Sequence, residues 1–121
     1  MTRNEAYIIL NMLPRIGPVR VRQMLDHYDG PEAILRERAD TLSKFPGIGS
    51  KIAHIISHWQ SEADLGAELD LAARAGVTIL TLDDDSYPSL LKEIYDPPLA
   101  LYVRGNMDAF EAADRSSLAI V

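Results

Sequence analysis

Apolar residues recur at spacings of three and four through the first two thirds of the chain, which predicts a series of short helices. Ala6 to Leu13 is the first. Thr2 or Asn4 can cap it, and Pro14 ends it because the residue before a proline is pushed out of the α region. Val21, Met24, Leu25 and Tyr28 mark a second helix from Val19 to His27, which Asp29-Gly30-Pro31 stops. A third runs from Pro31 to Arg38, and Asp40 is placed to cap a fourth reaching Lys44. Ile52, Ile55, Ile56 and Trp59 make an apolar stripe on the next. Glu62 to Ala75 reads as one longer amphipathic helix, with Leu65, Leu69, Leu71, Ala72 and Ala75 inward and Gly76 as its C-cap. Residues 1–76 are thus expected to be an all-helical module.

At Gly76 the pattern changes. Val77 to Leu82 is β-branched and is followed by Asp83-Asp84-Asp85, so it reads as a strand. Tyr87-Pro88 opens a short helix from Ser89 to Tyr95, and Leu99 to Gly105 is a second strand. Met107 to Ala113 fits one or two helical turns, and Ser117 to Val121 an apolar strand. Such a strand normally lies inside a parallel sheet and is followed by a crossover helix. Residues 77–121 therefore read as the start of a truncated nucleotide-binding-type α/β domain.

Between the fourth and fifth helices stands Phe45-Pro46-Gly47-Ile48-Gly49-Ser50-Lys51. Glycine tolerates positive φ, so Gly47 and Gly49 let the chain reverse tightly. Ser50 is placed to cap the helix that follows, whose free N–H groups, dipole and Lys51 would together attract a phosphate. This is the logic of a helix-hairpin-helix. Leu13-Pro14-Arg15-Ile16-Gly17 repeats it 32 residues earlier, with Arg15 in place of the first glycine. Two such hairpins are expected to pack as a pseudo-symmetric pair around one core. The candidate backbone contacts are Gly47, Gly49, Ser50 and Lys51 in the second copy, and Arg15, Gly17, Arg20 and Arg22 in the degenerate one.

Composition changes this picture in one respect. The net charge of −6 conceals an asymmetry: residues 1–60 hold eight Lys/Arg against six Asp/Glu, and residues 61–121 hold four against twelve. The acidic half argues against nucleic acid, whereas the first half alone is compatible with it. The chain has no cysteine, which excludes disulfides and thiolate chemistry. Nor does it contain a run of about 18 apolar residues, so no membrane span is expected, and the first residues lack the layout of a secretory signal. His54 and His58 share the i, i+4 spacing of some metal sites but lack an evident third ligand. Asp83 to Asp85 reads as a turn with an N-cap for the helix after Tyr87. No catalytic set, metal or cofactor is expected.

Asp85-Ser86-Tyr87-Pro88, Leu90-Leu91, Ile94, Asp96-Pro97-Pro98, Leu101-Tyr102, Gly105 and the closing Leu118-Ala119-Ile120-Val121 form a signature that resembles the DNA-processing protein A family (DprA, also called Smf). The resemblance implies a helical helix-hairpin-helix or SAM-like module followed by the first strands of a truncated extended Rossmann-type domain. It also implies a bacterial cytoplasmic protein, not an enzyme, that binds single-stranded DNA in natural transformation and loads the recombinase RecA onto it. The family's main DNA site and most of its dimerisation surface follow the strand matched by Leu118 to Val121, so homodimerisation belongs to the longer protein. Two alternatives come from other classes: a nucleotide-hydrolysing enzyme with a related Rossmann-type domain, and a helical protein-interaction module.

Overall fold

Thr2 begins the fold with a reciprocal cap. Its hydroxyl accepts from the Glu5 backbone N–H at 3.1 Å, and the Glu5 carboxylate accepts from the Thr2 N–H at 2.8 Å, satisfying two of the donors a helix start leaves open. That backbone bond is the main reason the Glu5 carboxyl titrates below its usual range. The computed structural model describes residues 1–94 and 97–104. From this cap, α1 (Arg3–Met12) is followed by α2 (Gly17–Leu25), α3 (Pro31–Arg36), α4 (Ala39–Ser43), α5 (Gly49–Ser57), α6 (Trp59–Glu62) and α7 (Leu65–Arg74). Then come β1 (Val77–Thr81), α8 (Ser89–Lys92) and β2 (Ala100–Arg104). β1 and β2 pair antiparallel, with Val77 opposite Arg104 and Thr81 opposite Ala100.

One apolar core joins the two hairpins. Residues 32 apart fill it in equivalent pairs: Leu10 with Leu42, Ile16 with Ile48, Val21 with Ala53, and Met24 with Ile56, all buried. Ile9 and Ile34 complete it, and so does Leu99, which arrives from beside β2. A smaller cluster of Leu80, Tyr87, Leu101 and Val103 lies on the strand pair, and Leu82 packs against both clusters.

Two polar contacts fasten the strand pair. Thr81 is fully buried, its hydroxyl donating to Asn4 Oδ1 at 2.8 Å and its N–H to Asp84 Oδ2 at 2.7 Å. Asn4 in turn donates to Asp84 Oδ1 at 3.2 Å, so α1 and the end of β1 share one network. Tyr102 donates its hydroxyl to Glu68 on α7.

The structure departs from the sequence expectations at several helix boundaries. Ser50 does not cap α5: that helix starts at Gly49, with Ile48 in the cap position and no side-chain cap. Asp40 lies inside the first turn of α4, behind Arg38. The single helix expected from Glu62 to Ala75 is two, because Ala63 and Asp64 are extended and the Asp64 carboxylate accepts from the Ala67 N–H at 3.0 Å. That restart puts Leu65, Glu68 and Ala72 on one face. Leu69 and Leu71, expected inward, are 39% and 59% exposed. The helix expected to reach Tyr95 ends at Lys92, and Pro88, not an aspartate, occupies its cap position. The expected elements at 107–113 and 117–121, and with them the parallel-sheet continuation, lie outside the described residues.

Tyr87-Pro88 and Pro97-Pro98 are joined directly: the buried Tyr87 hydroxyl donates to the Pro98 carbonyl at 2.8 Å. Burial pushes the Tyr87 phenol up to about 12, and burial followed by the Glu68 contact raises that of Tyr102 as well. A phenol whose folded pKa exceeds its unfolded value near 10 favours the fold fully below that pH and loses the contribution as pH rises towards the folded value. Urea midpoints are therefore expected to fall between pH 10 and 12, and Tyr87→Phe to flatten that fall. An unchanged pH profile in the variant would refute the assignment to Tyr87.

Candidate nucleic-acid interface

The two turns follow the same backbone path despite their different residues. Arg15 and Gly47 have φ of 70° and 84°, and Gly17 and Gly49 have 74° and 66°. Ile16 and Ile48 lie between them at φ/ψ of −87°/−62° and −88°/−55°. The first copy is thus degenerate in residue type and intact in shape, with Arg15 held in a left-handed conformation that costs an L-residue about 1–2 kcal/mol. The two isoleucines are buried and pin each turn to the core. A Cβ built on Gly17, Gly47 or Gly49 would meet nothing within 4 Å. These glycines serve the sign of φ, and the space over them is open to a ligand.

The helices behind these turns differ from most of the others in charge. α1, α3, α4, α6 and α7 carry an acid in the first turn (Glu5, Glu32, Asp40, Glu62 and Glu68), whereas α2 and α5 carry none. Acids are the usual compensation for the positive end of a helix dipole. Here that end is left uncompensated beside open space, and on α5 it is reinforced by the exposed Lys51. The N–H groups of Gly49, Ser50 and Lys51 begin α5, and no carbonyl one turn back accepts from them in an α-helix. In α2 the equivalent of Ser50 is Pro18, which has no N–H, so the second turn is the fuller anion cradle.

Arg20 brings the two turns together. Its Nε donates to the Gly47 carbonyl at 3.1 Å, and its Nη1 donates to the carbonyls of Arg15 at 3.0 Å and Ile16 at 3.4 Å. The guanidinium therefore spans both hairpins, which the sequence expectation of a plain phosphate contact missed. The repeat offers a signal: position 20 pairs with Ile52, a half-buried core neighbour in the second copy. Arg22 lies elsewhere on α2, beside α8, where its Nη1 donates to the Ile94 carbonyl at 3.4 Å. It lines a groove there with Gln23, Asp26 and Glu93.

The remaining candidates resolve into structural roles. The His54 and His58 rings stack at 4.0 Å, and His58 Nδ1 lies 3.0 Å from the His54 carbonyl at the far end of α5. Asp84 holds Thr81 and Asn4, and its own backbone closes the turn after β1; Asp83 and Asp85 are exposed. Among the described residues, no three potential ligands gather as a metal site, and no helix is long and apolar enough to cross a membrane.

Comparison with known proteins gives two family matches on successive parts of the chain. Residues 7–59 match the SAM-like helix-hairpin-helix tandem, and residues 78–121 match DNA recombination-mediator protein A. Protein Smf of Synechocystis is 30% identical over 97 residues, covering 80% of this chain and 24% of that protein. The chain thus spans about a quarter of the length of that relative. UvrABC system protein C of Saccharophagus degradans is 38% identical over 48 residues, which is 40% of this chain and 8% of that protein. The same protein of Ectopseudomonas mendocina is 42% identical over 41 residues, 34% of this chain and 7% of that protein. No solved structure matches the chain. A hairpin tandem in the first half, the recombination-mediator match in the second and similarity to Smf across most of the length converge: the chain belongs to the DNA-processing protein A (DprA/Smf) family and matches its N-terminal portion.

Proposed function

We propose that this chain is the N-terminal part of a single-stranded-DNA-binding protein of natural transformation, and that its hairpin face makes an accessory contact to the phosphate backbone. The observation that carries the contact is the pair of left-handed turns, bridged by Arg20, whose helices carry no first-turn acid. Gly47, Gly49, Ser50 and Lys51 would hold one phosphate through N–H donors and an ammonium. Arg15, Gly17 and Arg20 would add positive field beside it. Contacts of this kind position a strand without reading its bases. The same proposal includes a helical module at 1–76, a Rossmann-type domain that opens at 77–121 and bears the principal DNA site, and no catalytic activity. It further includes a homodimer of the longer protein, RecA as partner and a cytoplasmic setting.

Lys51→Ala tests the contact. Lysine near a helix N-terminus opposes the dipole, so its removal is expected to leave stability unchanged or raise it by about 0.3–1 kcal/mol. Affinity for a labelled single strand is expected to fall a few-fold. The slope of log affinity against log salt is expected to lose about 0.7, the share of one phosphate on a single strand. An unchanged slope would sink the contact and leave the hairpins as scaffold.

A further inference from the structure

Phe45 and Leu13 stand in equivalent places before the two turns, 32 residues apart. Leu13 is buried, whereas Phe45 is half-buried. Phe45 borders an open groove of about 510 Å³, which Lys44 and Pro46 also line. His27 enters the same groove and meets Phe45 edge to face, with centroids 5.1 Å apart and planes at 79°. Glu37 also lines it. Its carboxylate is engaged: Oε1 accepts from the Arg38 N–H at 2.8 Å. Pro46 connects this groove directly to Gly47, the start of the turn with the fuller set of N–H donors. The copy of the hairpin that has the better anion cradle is thus also the copy with a half-buried aromatic beside it.

We propose that this groove seats one unpaired nucleobase of single-stranded DNA on the Phe45 and His27 rings, next to the phosphate held by Gly49 to Lys51. Every base has a flat π-face, so such a seat tolerates any sequence. In a duplex the bases face each other and cannot enter it, so the groove favours single strands where the turn alone would not. Lys44, at the groove wall, is placed for the neighbouring phosphate. The seat rests on the backbone contact proposed for the second turn.

The test uses the intact chain with three labelled probes of equal length: oligothymidylate, the same strand with abasic sites, and a duplex. The parent is expected to bind oligothymidylate about ten-fold more tightly than the abasic strand. Phe45→Leu, which installs the residue of the equivalent place in the first hairpin, is expected to erase that difference. It should leave the salt slope and duplex affinity as they are. Equal binding of normal and abasic strands by the parent overturns the seat without any variant having to fold. If Lys51→Ala weakens binding while abasic sites do not, the seat fails and the backbone contact stands. If the parent binds none of the probes, both fail.

Discussion

Ile56→Ala and Met24→Ala are each expected to destabilise the fold by about 2–5 kcal/mol, the range for removing a large buried aliphatic side chain and leaving a cavity. Both residues are fully buried, and they hold equivalent places in the two hairpins, 32 residues apart. The first hairpin carries the residue that departs from the glycine pattern, so a one-sided core would tolerate Met24→Ala better than Ile56→Ala. Comparable losses would mark a core that both hairpins share. Leu69→Ala, at 39% exposure on α7, is the control, with an expected change within about 0.5 kcal/mol. Chemical denaturation followed by far-ultraviolet dichroism measures all three. A loss below about 1 kcal/mol at either core position would contradict the packing described.

Asp84→Ala is expected to cost about 2–3 kcal/mol, whereas Asp83→Ala and Asp85→Ala should cost little. Asp84 accepts the N–H of Thr81, a fully buried residue, and also the Asn4 amide. Without it that N–H stays buried with its best acceptor gone, and the penalty is that of desolvation, larger than the net worth of an ordinary hydrogen bond. Its two neighbours are exposed. The loss should be local in origin, with amides of β1 and of the first turn of α1 exchanging faster together. Equal effects at the three aspartates would mean that the network contributes nothing.

The shape of the hairpins was legible in the chain because it depends on local rules. Pro14 and Pro46, Gly17 and Gly49, and the buried isoleucines between them prescribe the turns, and the 32-residue offset announces the pairing. Arg20 was legible as a cation but not as a bridge, since its bond to Gly47 spans 27 positions and no spacing rule reaches that far. The exposure of Leu71 escaped because the chain leaves the helix for two residues at Ala63 and Asp64, which resets the phase on which an inward face is counted. Ser50 misled for a related reason. A capping residue is normally read as the start of a helix, but here the left-handed turn with its buried isoleucine already performs that task, and the serine falls two residues past the cap position.

Leu99 carries a consequence for how the chain comes to be folded. It is 2% exposed among helical side chains from α1 to α5, although it belongs to the segment entering β2. During synthesis the helices emerge first, and their apolar interior stays incomplete until position 99 has cleared the ribosome. The helical half thus finishes its interior only when the next element is delivered, and a protein cut at the helix–strand boundary would carry that gap permanently.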